Sequence, residues 1–140
     1  MRGNMSHAGM FEQYMAAFNA GDADRYARFY APQIRFRNGA STELVGPAAI
    51  VDYYRSFAGR MSRVIEVRAV AWGERAFAAA LASRFTVLAD KVPFGGGMLG
   101  AGDRVHLESM ALYELDGAQF ARIEATTLTR RIERREETSQ

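Results

Sequence analysis

Helical periodicity ends at Gly59, and the rest of the chain alternates in the manner of strands. That segregation is what most restricts the fold. Met10, Phe11, Tyr14, Met15 and Phe18 recur at helical spacing and predict a first helix over about residues 6–20. Gly21 suits the left-handed residue that closes a helix, because it has no Cβ to clash. Asp22 then caps a second helix with Tyr26, Phe29 and Tyr30 on its inner face, and Pro32 stops it. Pro47 sits where a third helix begins, with Ile50, Val51, Tyr54, Phe57 and Ala58 as its buried stripe. Residues 33–38 form one short alternating strand between these helices, and Asn38-Gly39 favours a turn after it. Residues 63–72, 75–88, 103–115 and 119–131 read as long strands, the last two joined by the hairpin signal Asp116-Gly117. Helices first and antiparallel strands afterwards argue for an α+β domain whose helices cover one face of a curved sheet.

One domain, residues 1–140, is expected, with 132–140 a charged tail. Cysteine is absent, which excludes disulfides, thiolate metal sites and a thiol nucleophile. The first ten residues do not read as a secretory signal and no apolar run reaches spanning length, so the expected compartment is the cytoplasm, with no membrane partner. Lys91 is the only lysine, and arginine supplies the other basic residues. Basic residues are spread along the chain, and the densest run, from Arg130 to Glu137, carries its own acids; nucleic acid is not an expected partner.

The stretch Tyr14-Met15-Ala16-Ala17-Phe18-Asn19-Ala20-Gly21-Asp22-Ala23-Asp24, followed by Phe29-Tyr30-Ala31-Pro32, Gly46-Pro47-Ala48-Ala49-Ile50 and Val67-Arg68-Ala69-Val70-Ala71, carries a resemblance. In these motifs and in element order the chain resembles the nuclear transport factor 2-like superfamily, in its SnoaL-like and ketosteroid isomerase-like branches. The resemblance implies a cone-shaped, mixed or antiparallel curved sheet packed against three helices, the cystatin-like α+β barrel. One scaffold there supports isomerases, cyclases, hydrolases, dehydratases and binders, so fold alone does not assign activity.

A ketosteroid isomerase site needs a carboxylate base, and a tyrosine and a protonated aspartic acid on the oxygen that becomes an enolate. The resemblance puts Tyr14 at the tyrosine, Asn38 at the base and Ala111 at the acid. An amide does not take up a proton at neutral pH, so ketosteroid isomerisation is expected to be negligible. The expected role of Tyr14 is to donate a hydrogen bond to a substrate oxygen that Asn38 orients; the alternatives are a core tyrosine and a turn-capping asparagine. For the superfamily's epoxide hydrolases, Arg84 matches the arginine, whereas Thr86 and Ala125 stand where acids would be. Phe18, Tyr30, Phe36, Tyr54, Phe57, Trp72, Phe85, Ala111 and Tyr113 are the expected walls of a pocket for a small, apolar, oxygenated molecule.

Further acid–base candidates are His106 and Glu108, which share a strand face, and Glu124. Val105, Leu107, Ala111 and Tyr113 are the more apolar set and should face the helices, which sends His106 and Glu108 to the outer face. There Met110 and Leu112 join them, and a homodimer through the sheet is expected. Gly95-Gly96-Gly97-Met98-Leu99-Gly100 matches a dinucleotide fingerprint as a string, but a strand follows it where a helix N-terminus is required. The long connection from 89 to 102 is expected to act as a lid. With two histidines and no clustered acids, neither a metal site nor a cofactor is expected.

Overall fold

The computed structural model describes residues 6–39, 42–94 and 97–135. Helix α1 spans His7–Asn19, with Ser6 as N-cap accepting from the Gly9 amide at 3.0 Å. Helix α2 is a single turn, Ala23–Tyr26, capped by Asp22 and continued by a 3-10 turn, Ala27–Phe29. Strand β1 is Tyr30–Asn38 and strand β2 is Thr42–Val45. Helix α3, Pro47–Arg55, leads to β3, Met61–Trp72, and β4, Ala76–Val87. A small hairpin, β5 Val92–Phe94 and β6 Gly97–Leu99, precedes β7, Arg104–Asp116, and β8, Gln119–Glu133.

The large sheet has the order β2-β1-β8-β7-β4-β3. Every pairing is antiparallel except β1 with β8, so the sheet is mixed and remains open. Its concave face receives α1 and α3 over a core of Phe11, Tyr14, Phe18, Ile34, Ile50, Phe77, Phe120 and their neighbours. The expected α+β cone is the observed fold.

Four local expectations are corrected. Pro32 does not stop a helix: the helical stretch ends at Phe29, and Pro32 lies in β1, where the register with β8 shifts between Tyr30 and Arg35. Without an amide hydrogen, proline fits a strand at such an irregularity. Tyr30 accordingly opens β1 rather than facing inward from α2. The turn after Asn38 carries a strand the sequence reading missed, β2, paired through Asn38 and Thr42. Ala58 is exposed, and only Ile50 of α3 is fully buried. Ile132 and Glu133 belong to β8 rather than to a tail; residues 136–140 lie outside the described residues.

The Asn-Ala-Gly-Asp motif has a structural task. Strand β3 is a sheet edge, with backbone groups that no neighbouring strand meets. The Asn19 side chain accepts from the Ile65 amide at 2.8 Å and donates to the Ile65 carbonyl at 2.9 Å, acting as a one-residue strand partner. Asn19→Ala removes both bonds and is expected to cost about 1–3 kcal/mol. Urea unfolding reads the loss as a lower midpoint at unchanged slope. A midpoint equal to that of the parent protein would show that the clamp adds nothing.

The glycine-rich connection is a packed hairpin over a second core of Met61, Val87, Val92, Leu99 and Val105. Strand β7, not a helix, follows it, so the glycine string is no nucleotide fingerprint; Gly95 and Gly96 lie outside the described residues. Asp103 anchors its base, accepting from the amides of Gly100 at 2.9 Å and Arg135 at 2.8 Å and from Arg134 Nη1 at 3.1 Å. These donors hold the Asp103 carboxyl below the usual carboxylate range.

Candidate functional site

Inward-facing positions alternate along the long strands and converge under α1 and α3. Arg63 and Ile65 come from β3, and Leu81, Ser83 and Phe85 from β4. Leu107, Ser109, Ala111 and Tyr113 come from β7, and Ile123, Ala125 and Thr127 from β8. With Tyr14, Met15 and Phe18 of α1, Phe36 and Asn38 of β1 and Tyr54 of α3 they enclose an inner chamber of about 100 Å³. It opens past Asn38, Tyr54, Arg63, Phe85, Leu107 and Thr127 into a vestibule of about 510 Å³, whose outer walls are Tyr53, Phe57, Phe94 and Arg130.

Tyr14 is buried, and its hydroxyl lies 2.8 Å from that of Tyr30. Burial pushes both phenols up, and neighbouring tyrosines add to the effect on Tyr14. Both are therefore neutral at any working pH. Of the two hydroxyl protons, one is used between them and one is left for another acceptor. Asn38 Nδ2 donates to the Tyr54 hydroxyl at 3.3 Å. The Tyr54 phenol is also pushed up by burial, against a smaller pull from Arg63, and keeps its own proton to donate. Tyr113 is raised by burial as well. Apart from the Arg63 guanidinium, the chamber's donors are thus neutral, and among its described lining residues there is no carboxylate and no imidazole.

Phe18, Phe36, Tyr54, Phe85, Ala111 and Tyr113 line the chamber, and Phe57 lines the vestibule. Two expected wall residues do not. Tyr30 sits behind Tyr14, completely enclosed. Trp72 ends β3 and remains 47% exposed, covering the closed end of the cone against Phe77 at 4.7 Å and Phe11 at 6.3 Å. His106, Glu108 and Glu124 point to the outer face. His106 Nε2 meets Glu133 at 2.9 Å, Glu108 accepts from Thr129 at 2.9 Å, and Glu124 is paired with Arg122 and Arg37. None of the three lines the chamber or its vestibule. Arg84 is exposed on that same outer side, in a groove with His106 and Glu108. No group of three or more acids or histidines among the described residues is placed to hold a metal ion.

Two arginines escaped the sequence reading. Arg63 has inward parity, but Val64 and Ile65 are both apolar, so the alternation of β3 does not reveal its phase. Arg130 depends on a bulge: Glu108 pairs with Thr129 and Ser109 with Thr127, leaving Leu128 extra. One inserted residue reverses the faces beyond it, so Arg130 joins the vestibule where simple alternation sends it outward.

No curated protein matches the chain. Among solved structures it is similar to a proposed polyketide cyclase of Pseudomonas putida KT2440, with 18% identity, a TM-score of 0.74 and coverage of 87% of this chain and 91% of that one. It is also similar to SalBIII, an epoxide hydrolase/cyclase-like enzyme in pyran ring formation in the polyether salinomycin, with 19% identity, a TM-score of 0.69 and coverage of 84% and 87%. An LEH-like epoxide hydrolase of M. tuberculosis gives 12% identity, a TM-score of 0.69 and coverage of 84% and 79%. At these identities the likeness is one of fold. The model of the SnoaL-like domain matches residues 11–123, from the first helix into the last strand, and the chain belongs to that family.

Proposed function

We propose that the protein binds a small, largely apolar, oxygen-bearing molecule in the cone and polarises its oxygen, without a protein base at Asn38. The observation that carries this is the character of the chamber: apolar walls, the neutral donors Tyr14, Asn38 and Tyr54, and no carboxylate or imidazole among the described lining residues. Sites of this build hold small molecules by shape and orient them by a few polar groups. Any isomerisation or cyclisation there draws on hydrogen bonds to a developing oxyanion. The same absence of a base supports a non-catalytic binder as the second reading.

Tyr14 and its partner separate a ligand-facing hydroxyl from a packing one. With 2-acetylnaphthalene as probe, Tyr14→Phe should weaken binding by about 1 kcal/mol. Tyr30→Phe should lower the thermal midpoint and leave affinity nearly unchanged, because Tyr30 stands behind the wall. A Tyr14→Phe protein that loses stability but not affinity would place Tyr14 in the core only.

The outer face supports pairing with a second copy. Ala78, Ala80 and Ala82 form a flat strip opposite Leu112, Met110 and Glu108. Val64, Met110 and Leu112 are exposed large apolar residues on that face. Light scattering at high micromolar concentration should give a homodimer that Met110→Glu dissociates; a monomeric parent protein would refute the pairing.

A further inference from the structure

We propose that the ligand is an organic anion, an aromatic or alicyclic body bearing a carboxylate that Arg63 binds at the neck between chamber and vestibule. This rests on the reading of the cone as a small-molecule site and narrows the ligand class. Arg63 lines both spaces. Its guanidinium carbon stands 4.0 Å from the centre of the Phe18 ring and 4.6 Å from that of Tyr54. Nη2 donates to the Phe18 carbonyl, near the C-terminus of α1, at 3.3 Å. Nε is buried with no acceptor, and no acidic side chain pairs with Arg63, both among the described residues.

Arg63 is half-buried, and the part of its guanidinium turned away from water is stabilised by an anion or by further acceptors. Two ring faces and one carbonyl oxygen compensate Arg63 only in part. If its task were packing alone, an apolar side chain would serve without the desolvation cost. The terminal Nη1 and Nη2 form a donor fork that takes a carboxylate end-on through two parallel bonds, while Nε stays closed behind them. Tyr54 adds a hydroxyl proton beside it. Arg130, whose guanidinium carbon lies 6.0 Å from the Phe94 ring centre, places a second positive charge at the rim. No acidic residue lines the vestibule among the described residues, so its field attracts anions and repels cations. Phe57, Phe85 and Phe94 provide flat apolar walls for the body of the ligand.

The test compares 2-naphthoate with 2-naphthamide by calorimetry, since the two share a ring system and differ chiefly in charge. The parent protein should bind the acid at least about tenfold more tightly than the amide, with a preference that shrinks as salt rises. Arg63→Met keeps length and apolar bulk; it should reduce the preference to about threefold or less, by weakening the acid more than the amide. Arg63→Lys should retain part of the preference, and Arg130→Gln should weaken it less than Arg63→Met does. The thermal midpoint of Arg63→Met should hold or rise, because an unpaired charge is removed. Should that variant fail to fold, the two probes on the parent protein and on Arg63→Lys still decide. Equal binding of acid and amide by the parent protein overturns the anion assignment and leaves the small-molecule site standing. Binding of neither probe overturns both.

Discussion

Asn38→Asp is expected to convert a protein with negligible isomerase activity into a measurable one. The substrate is a small β,γ-unsaturated cyclic ketone, chosen because the chamber holds only about 100 Å³. The exchange places a carboxylate beside Tyr54, whose hydroxyl then donates to it where Asn38 Nδ2 now donates to the hydroxyl. That carboxylate moves the proton between carbons, while Tyr14 and Arg63, which line the same chamber, meet the oxygen that becomes an enolate. General-base catalysis is worth roughly 10²–10⁴-fold, and the gain should fall in the lower part of that range. The reason is Arg63, whose positive charge favours the ionised carboxylate and so weakens it as a base. Its pKa should lie at or below the ordinary value near 3.9, which makes the rate flat from about pH 5 to pH 9. The tyrosines do not disturb that plateau, because burial pushes them above it. Initial rates over this pH range check the expectation. Robust isomerisation by the parent protein, or no gain in the variant, would refute the role given to position 38.

The order of elements was legible because helical spacing, interrupted only by the short strand at 33–38, ends at Gly59 and strand alternation alone follows. The concave face of β7 was legible as well: Val105, Leu107, Ala111 and Tyr113 are apolar while His106 and Glu108 are not, and a period of two then assigns both faces. What stayed hidden depends on contacts between segments distant in sequence. Strand β2 is four residues long and has its meaning only in its pairing with β1. The bulge that brings Arg130 to the vestibule is a property of two strands in register, and no composition marks Leu128 as the extra residue. Arg63 was obscured by an edge strand with apolar residues on both faces, and its stacking partners, Phe18 and Tyr54, come from two helices. Tyr30 and Trp72 were read as wall residues because an aromatic type says that a side chain is buried in part, not which space it borders. Of the candidate wall residues, Phe18, Phe36, Tyr54, Phe85, Ala111 and Tyr113 border the chamber, whereas Tyr30 and Trp72 do not.

Phe120→Ala is expected to give the largest loss of stability of any change discussed. Phe120 is the second residue of β8, at the closed end of the cone, and is completely buried. Its ring centre lies 4.9 Å from Tyr14, 5.3 Å from Tyr113, 6.2 Å from Phe77 and 6.5 Å from Phe29. It therefore joins α1, the 3-10 turn and two neighbouring strands of the sheet. Removing a ring from such a place costs its transfer free energy together with a cavity that the fixed strands cannot collapse around, about 3–5 kcal/mol. For a domain of this length that corresponds to a fall in thermal midpoint of roughly 10 °C or more. Phe120→Leu fills most of the space and should cost clearly less, whereas Trp72→Ala, at a residue 47% exposed, should fall well short of Phe120→Ala despite the larger side chain. The effect should reach the site. Phe120 supports the Tyr14 ring, so residual folded Phe120→Ala should bind 2-acetylnaphthalene more weakly even below its melting range, although Phe120 does not line the chamber. Calorimetric unfolding of the three variants, with probe titration at low temperature, checks both parts. If Trp72→Ala proved as damaging as Phe120→Ala, the exposed indole and not the enclosed phenyl would hold the closed end of the cone together.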